Sequence, residues 1–138
     1  MNAKVGYSTP VLHVAEIEKS IEFYERLGFQ TIDTDACQPL GWARLHCEGG
    51  AVMFLRAEEP MHTVEHSVLL YMYCPDLEAL RQQLVDAGVK VTPVRRPEYM
   101  PSGEIMLADP DGYPISIAHW GKAEQETWEK RVSKNQQD

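Results

Sequence analysis

The chain is short of cysteine, of basic residues and of long apolar runs, and each shortage excludes a class of protein. Its three cysteines, Cys37, Cys47 and Cys74, form no C-x-x-C pair, so neither a disulfide framework nor a zinc site is expected. Thirteen Lys and Arg against 21 Asp and Glu give a net charge of −8, which disfavours nucleic acid and anionic membranes as partners. The sequence has neither a secretory signal in its opening MNAKVGYSTP nor an apolar span of about 18 residues, which predicts a cytoplasmic location.

The rest of the composition is typical of one folded domain. Hydrophobic residues make up 43% of the 138 residues and charged residues 25%, a balance that argues against disorder. A chain of this length buries a core without disulfides or metal ions. We therefore expect residues 1–138 to form a single domain.

One helical motif occurs twice. The segment Glu16–Phe29, EIEKSIEFYERLGF, returns as Asp76–Val89, DLEALRQQLVDAGV, at an offset of 60 residues. Each copy opens with an acidic residue suited to an N-cap, carries apolar residues at helical spacing, and ends at Gly28 or Gly88, where a left-handed C-terminal conformation is favourable. A period this long predicts two copies of one small module rather than a solenoid.

Short β-rich runs surround each predicted helix, and turns that contain Gly or Pro separate them. In module one, residues 1–60, the predicted strands are Thr9–Val14, Gln30–Thr34, Trp42–Cys47 and Ala51–Arg56, with a hairpin turn at Glu48–Gly50. In module two, residues 61–120, they are Ser67–Tyr73, Lys90–Pro93, Glu104–Ala108 and Pro114–His119, with a turn at Asp109–Gly112. The polar run Ala57–Glu65 is predicted to link the modules.

The fold class that follows is α+β, with two tandem βαβββ modules and a C-terminal extension at residues 121–138. The extension is highly polar and has no counterpart in module one. It predicts a surface helix in which Trp128 and Val132 are the apolar anchors. A solvated extension and a strap or dimer contact are both compatible with this pattern.

The order of a strand, an acid-capped helix ending in FYERLGF, and a return that closes on DPDGYPISI resembles the vicinal oxygen chelate superfamily. This superfamily includes glyoxalase I, fosfomycin-resistance proteins, extradiol dioxygenases and bleomycin-resistance proteins. The resemblance covers roughly Ser8 to Trp120 and implies curved mixed sheets around a cavity, usually in a homodimer. Both motifs also have a structural explanation, because Phe23 and Tyr24 suit packing on a sheet and Asp109–Gly112 suits a tight turn.

The resemblance implies no metal site. Metal-dependent members place His or Glu at four equivalent strand positions, since imidazole and carboxylate groups supply lone pairs to a divalent ion. Those positions fall on Thr9, Phe54, Leu69 and Ser116, and a shift by one residue brings no ligand either. The resemblance is therefore closest to the metal-free bleomycin-resistance branch, and neither a metal nor another cofactor is expected.

The resemblance, together with the two-residue alternation of strands, implies an inward face that contacts ligand. Its predicted members are Thr9, Val11, His13, Trp42, Phe54, Leu69, Tyr71, Tyr73 and Ser116, with Arg44 beside Trp42. Aromatic rings, a few hydroxyls and one imidazole suit flat or cationic organic ligands.

Among the five histidines, only His13 falls on this predicted face, where a substrate contact and a core role are equally compatible. His46 and His119 are expected to be exposed near hairpin ends, His62 lies in the linker, and His66 suits a ligand role only if its strand begins differently. No motif pairs a cysteine with a base, so buried structural thiols are expected at Cys47 and Cys74.

The predicted function is the binding of a small organic ligand, without metal and without chemical change, as in sequestration or resistance. The alternative is a lyase, isomerase or dioxygenase of the same superfamily, using His13 as a general base or a metal held by non-standard ligands. A third hypothesis, a structural module whose cavity is filled by its own side chains, is compatible with the large residues predicted to face inward.

Overall fold

The computed structural model describes residues 3–59 and 68–137, and this part of the chain contains seven strands and three helices. They are β1 Val11–Val14, α1 Ile17–Arg26, β2 Gln30–Thr34, β3 Trp42–Cys47, β4 Gly50–Arg56, β5 Leu70–Cys74, α2 Leu77–Asp86, β6 Glu104–Ala108, β7 Pro114–His119 and α3 Lys122–Gln137. None of these helices is long and apolar enough to cross a membrane. Most of the predicted linker, with His62 and His66, lies outside the described residues.

The chain divides into two compact units. The first comprises Met1–Glu65 together with Asp109–Gly112, and the second comprises His66–Ala108 and Tyr113–Asp138. The turn Asp109–Gly112 was predicted as part of module two, yet it packs with the first unit. The class is mixed α+β with two sheets, as predicted, and a C-terminal helix follows the second sheet.

The first unit is a four-stranded sheet in the order β1-β4-β3-β2, with α1 on one face. β1 and β4 run parallel, and the other pairs are antiparallel. The core on the α1 side contains Leu12, Val14, Ala43, Leu45, Val52 and Phe54, all buried. Tyr24 of α1 packs on Phe54 with ring centroids 5.0 Å apart. β1 begins at Val11 instead of the predicted Thr9, because Pro10 has no N–H to donate to the sheet.

The repeated helix ends as predicted and begins with a difference between its copies. Gly28 and Gly88 have φ of 100° and 79°, and the next residue donates its N–H to the third-last helical carbonyl, Phe29 to Tyr24 (3.1 Å) and Val89 to Leu84 (2.9 Å). This is the Schellman arrangement that glycine favours. Asp76 accepts the Ala79 N–H, whereas Glu16 makes no capping bond and pairs with Lys19 instead. The longer Glu side chain explains the failed cap.

The two sequence signatures bond to each other. The Tyr24 hydroxyl donates to Asp109 Oδ2 at 2.9 Å, and both residues are buried. The Asp111 N–H donates to Asp109 Oδ1, and Asp111 Oδ1 accepts the Ala15 N–H where β1 leads into α1, each at 2.9 Å. The acids of the DPDG turn, predicted to shape only the turn, therefore also fasten it to α1 and the end of β1.

The second unit is a three-stranded sheet in the order β5-β7-β6, with α2 packed on β6 and β7. β5 and β7 run parallel, and β6 and β7 are antiparallel. The core on the α2 side is aliphatic and contains Leu77, Leu84, Ile105, Leu107, Ile115 and Ile117. β5 begins at Leu70 instead of the predicted Ser67, which lies outside the described residues.

The predicted strand Lys90–Pro93 does not form, so this part of the βαβββ prediction for module two was wrong. The segment lies beside β6, where the Thr92 N–H donates to the Met106 carbonyl at 3.0 Å. The Met106 N–H donates in turn to the Thr92 hydroxyl, at 2.9 Å, and not to a backbone carbonyl. Since Pro93 also lacks an N–H, the segment cannot continue a regular backbone ladder.

α3 forms where a surface helix was predicted. Trp128 keeps 51% of its surface exposed, so its predicted role as an apolar anchor was wrong for the described chain. Val132, one turn later, is half-buried. A polar helix with so little apolar surface has no broad stripe to bury against its own sheet.

Candidate functional site

Each sheet has one face covered by its helix and one face free of it. In the first unit, the face away from α1 carries His13 of β1, Met53 and Leu55 of β4, and Trp42 and Arg44 of β3. The strand register places them together: Leu55 pairs with His13 on one side and Trp42 on the other, and Met53 pairs with Val11 and Arg44 in the same way. We call this set, with Val11 and His46, the first open face. The sequence prediction of Val11, His13 and Trp42 as neighbours on one face agrees with this register.

Arg44 organises the first open face. Its Nε donates to His46 Nε2 at 2.8 Å, and one terminal nitrogen lies 3.4 Å from the Thr9 hydroxyl. The other terminal nitrogen lies 3.9 Å from Met53 Sδ, and the guanidinium sits 5.8 Å from the centroid of the Tyr7 ring. His46 and His119 were predicted to be exposed, but both are half-buried, and His46 has Arg44 as a partner on this face.

Phe54 does not lie on the first open face, where it was predicted. It pairs with Leu12 and contacts Tyr24, and its side chain is fully buried on the α1 side. The prediction registered the last strand one residue out of phase, and such a slip moves a side chain to the opposite face of a sheet. Met53 and Leu55 take the place expected of Phe54. Thr9 and His13 remain with this face, Thr9 half-buried and His13 exposed.

The second unit has a more aromatic open face. Tyr71 pairs with Ser116 and Tyr73 with Ala118, while Met106 and Glu104 pair with the same two residues from the other side. These six residues, with Trp120, lie on what we call the second open face, where Tyr71 and Tyr73 are exposed and Ser116, Ala118 and Glu104 are buried. Leu69 precedes β5 in the same alternation and is half exposed. Three of the predicted contact residues, Tyr71, Tyr73 and Ser116, are therefore brought together.

Three rings of the second open face form a continuous row. Tyr71 and Tyr73 have centroids 5.4 Å apart, and Tyr73 and Trp120 have centroids 5.2 Å apart. The backbone places Trp120 there because its N–H donates to the Cys74 carbonyl at 2.8 Å. Tyr73 keeps 58% of its surface exposed although it has two aromatic neighbours. The rings are inclined to one another by 58° and 65°, so a flat molecule can stack on one ring at a time and meet the edge of the next.

A buried carboxylate lies under this row. Glu104 is 1% exposed and accepts three donors: the Tyr99 hydroxyl at 2.7 Å, the Tyr71 hydroxyl at 3.1 Å and an Arg95 terminal nitrogen at 3.3 Å. A buried charge is tolerated only when it is bonded in this way. Since Tyr71 and Tyr99 donate to Glu104, their hydroxyl lone pairs remain available as acceptors.

The ionisation of this cluster follows from its hydrogen bonds. The Tyr99 hydroxyl, ahead of the Tyr71 and Arg95 bonds, lowers the pKa of Glu104 below its usual value and keeps it anionic at neutral pH. Burial and then the bond to Glu104 raise the pKa of Tyr71 to about 12. The bond to Glu104 likewise raises the pKa of Tyr99. Both tyrosines therefore stay protonated, as donors, across the physiological range.

Neither open face offers a conventional metal site. Within residues 3–59 and 68–137, no group of three or more His, Cys, Asp or Glu side chains is placed to hold a metal ion. The residues inferred for the metal positions of the superfamily are Thr9, Phe54, Leu69 and Ser116, which lack imidazole and carboxylate groups.

The three cysteines differ in exposure. Cys47 and Cys74 are half-buried and Cys37 is exposed, so the expectation of fully buried thiols was wrong. The neighbouring Asp35 carboxylate raises the pKa of Cys37, which lowers its thiolate fraction.

Sequence reasoning missed the acid of the second open face. In β6, Glu104 lies on the face opposite the buried Ile105 and Leu107. The two-residue alternation of the sequence could therefore have placed Glu104 on the face away from the core. Tyr99 and Arg95 carried no such signal, because they lie in the loop before β6.

Comparison with known proteins agrees with this architecture. The sequence profile of the Glyoxalase/Bleomycin resistance protein/Dioxygenase superfamily matches residues 7–117. Among curated proteins, none matches the chain.

Similar folds occur among solved structures. A bleomycin-binding protein, solved in complex with bleomycin, is 21% identical, with a TM-score of 0.68 over 84% of this chain and 99% of that one. A bleomycin resistance determinant encoded on the transposon Tn5 is 20% identical, with a TM-score of 0.68 over 83% and 98%. TnmS3, an antibiotic-binding protein from Streptomyces sp. CB03234, is 20% identical, with a TM-score of 0.66 over 86% and 98%.

Sequence identities this low establish a shared fold, and they do not show that this chain binds the ligand of any neighbour. The profile match covers most of the chain and includes both sequence signatures, the helix that ends in FYERLGF and the DPDG turn. The chain belongs to the glyoxalase, bleomycin-resistance and dioxygenase superfamily.

Proposed function

We propose that this protein binds a small, flat organic molecule of cationic or donor-rich character and releases it unchanged. The observation that carries the proposal is the second open face, an exposed aromatic row above a buried carboxylate. Such a protein acts by lowering the concentration of free ligand, so affinity is its function and no transition-state chemistry is needed. Three neighbours of similar fold described as bleomycin or antibiotic proteins support this role by analogy.

The preference for positive charge rests on electrostatics. Tyr73 and Trp120 present ring faces, which attract cations, and the hydroxyl oxygens of Tyr71 and Tyr99 are polarised by Glu104. Arg95 offsets part of the carboxylate charge, but its own side chain is 56% exposed and therefore screened by solvent. The net charge of −8 adds a weaker attraction over the whole molecule.

The size of the expected effect is modest for a simple probe. At about 0.3 kcal/mol per non-hydrogen atom, a three-ring probe gains about 4–5 kcal/mol, which corresponds to a sub-millimolar Kd. A cation–π contact adds about 0.5–2 kcal/mol for a charged ring over its neutral counterpart. The cationic probe should therefore bind roughly 2- to 30-fold more tightly than the neutral one.

Three ring-matched probes test the proposal by isothermal titration calorimetry: the 10-methylacridinium cation, neutral acridine at pH 8 and the acridine-9-carboxylate anion. The expected affinity order is cation, then neutral ring, then anion, with the cation weakened by added salt. Tyr73→Ala should reduce binding of the cation, and Val85→Ala, which removes an exposed side chain of α2 in the same unit, should not. Equal affinities for all three probes would refute the charge preference, and no binding of any probe would refute the site.

The metal-free part of the proposal has its own test. Elemental mass spectrometry on protein purified without chelator, then dialysed separately against nickel, zinc, iron(II) and manganese, should find no stoichiometric metal. Tightly held metal at one equivalent would contradict it and favour a lyase or dioxygenase.

The rival proposal is an enzyme that uses His13 as a general base. The position of this exposed imidazole beside Leu55 on the first open face favours it. His13→Ala separates the two functions: an enzyme should lose turnover and keep its affinity within about tenfold, while a binder has no turnover to lose. Recovery of a bound natural ligand whose mass and NMR spectrum are both unchanged after prolonged incubation would oppose the enzyme.

A further inference from the structure

The carboxylate of the second open face is closed off from solvent by its own hydrogen-bond donors. Glu104 is 1% exposed, although it lies on the face away from the core. The Tyr71 hydroxyl reaches one carboxylate oxygen at 3.1 Å, while the Tyr99 hydroxyl (2.7 Å) and Arg95 (3.3 Å) reach the other. A ligand on this face therefore cannot bond directly to the carboxylate unless one of the three donors moves away.

Tyr99 has the fewest contacts among the three donors. Tyr71 belongs to β5, and its ring centroid lies 5.4 Å from that of Tyr73. Arg95 is fixed beside Glu104 by two backbone hydrogen bonds of 2.9 Å, one in each direction. Tyr99 instead lies in the loop before β6 and is 67% exposed, and no ring contact in the described part of the chain involves it. Its hydroxyl bond to Glu104 is therefore what keeps its ring on the face.

The backbone around Tyr99 allows its side chain to turn away. The Met100 N–H donates to the Pro97 carbonyl at 2.9 Å, and the Gly103 N–H donates to the Met100 carbonyl at 3.1 Å. These two turns shape the loop without using the Tyr99 side chain. Rotation about the side-chain torsions of Tyr99 moves its hydroxyl away from Glu104 and leaves both turns intact.

A donor that leaves a buried carboxylate has to be replaced. An unsatisfied buried charge is costly, so the Tyr99 hydroxyl leaves readily only when a ligand brings its own donor to Glu104. A cationic N–H group makes a stronger hydrogen bond to a carboxylate than a neutral hydroxyl does. A cation without N–H groups offers nothing to the carboxylate and leaves Tyr99 in place. Tyr99 therefore sorts ligands by their N–H donors as well as by their charge.

We propose that Tyr99 is an exchangeable cap on Glu104, and that the ligand is a flat cation whose N–H group replaces the Tyr99 hydroxyl. Protonated aromatic amines, amidines and guanidines belong to this class. The bonds from Tyr71 and Arg95 remain, so the carboxylate keeps three donors throughout. This proposal rests on the second open face being the binding site, and it narrows the ligand class from cations in general to cations that carry N–H groups.

Two cations with the same three fused rings test the exchange. The 9-aminoacridinium cation carries N–H groups, and the 10-methylacridinium cation has none. Tyr99→Phe removes the hydroxyl and keeps the ring, so the cap no longer competes for Glu104. A cap that is closed most of the time weakens binding in proportion to the closed fraction. Tyr99→Phe should therefore bind 9-aminoacridinium about tenfold more tightly than the wild type, the change that corresponds to about 1.4 kcal/mol for one hydrogen bond to a charged group.

Isothermal titration calorimetry at pH 7 measures both affinities. The affinity for 10-methylacridinium should stay within about twofold in Tyr99→Phe, because this cation does not displace the cap. In a Glu104→Gln background, Tyr99→Phe should no longer tighten the binding of 9-aminoacridinium. Tyr7→Phe, which removes the hydroxyl of an exposed tyrosine in the other unit, is the matched control and should leave both affinities unchanged. Circular dichroism checks that each variant is folded, and the comparison of the two cations on Tyr99→Phe decides the outcome even if Glu104→Gln does not fold.

Three results would overturn the exchange. Weaker binding of 9-aminoacridinium by Tyr99→Phe would show that the ligand bonds to the Tyr99 hydroxyl instead of replacing it. Equal tightening of both cations would show that the hydroxyl only obstructs the face, and unchanged binding of both would show that it does neither. In each case the second open face remains the binding site. If neither cation binds to the wild type or to Tyr99→Phe, the proposed function is overturned, and the exchange with it.

Discussion

The bond between the two sequence signatures makes a quantitative prediction for Tyr24→Phe. This change removes only the hydroxyl that donates to Asp109 at 2.9 Å and keeps the ring that packs on Phe54. Asp109 is 5% exposed, so solvent cannot replace the donor. Loss of a hydrogen bond to a buried charged group costs about 1.5–3 kcal/mol of unfolding free energy. For a domain of this size, a loss of about 2 kcal/mol lowers the Tm by about 7 °C.

Urea and thermal unfolding, followed by circular dichroism, measure this loss, and a double-mutant cycle isolates it. If the bond carries the effect, Tyr24→Phe should cost at least about 1 kcal/mol less in an Asp109→Asn background than in the wild type. Tyr7→Phe, which removes the hydroxyl of an exposed tyrosine, is the control and should change stability by less than about 0.5 kcal/mol. Additive effects of Tyr24→Phe and Asp109→Asn would refute the coupling between the signatures.

Three further predictions follow from local geometry. Hydrogen bonds lower the pKa of Glu104 in the folded state, so the ionised carboxylate stabilises the fold at neutral pH, and this stabilisation is lost as the pH falls through that pKa. In denaturant unfolding, the difference in unfolding free energy between the wild type and Glu104→Gln should therefore become smaller on acidification. A difference that stays constant with pH would contradict this explanation. Ultraviolet titration should show a tyrosine ionising near pH 12 that Tyr71→Phe removes, since a raised pKa favours the protonated, folded form until pH passes that value. Gly28→Ala, at φ 100°, should cost about 1–2 kcal/mol in chemical denaturation, while Gly6→Ala, in open space, should cost much less; equal costs would show that the left-handed turn is not the cause.

The repeated helix shows which structural features a local sequence pattern can predict. Its glycine ends and its apolar spacing are set by interactions within a few residues of chain, and these predictions agree with the structure. The failures occur where a distant partner decides. Thr92 takes the N–H of Met106 through its side chain, so the strand predicted at Lys90–Pro93 is absent. Phe54 was assigned to the wrong face of the first sheet. The two-residue alternation divides the side chains of a strand between two faces, but only the pairing of Phe54 with Leu12 shows that Phe54 lies on the face that α1 covers.

By itself, the sequence determined the superfamily, the mixed α+β class, the two helix ends and the aromatic character of β5. These features depend on residue type and short-range spacing, which the chain carries explicitly. Tertiary structure alone decided that Glu104 lies beneath Tyr71 and Tyr99 and that Asp109 accepts from Tyr24. The bonds to Glu104 and Asp109 join residues as far as 85 positions apart in sequence, and their geometry exists only once strands and loops have been brought together.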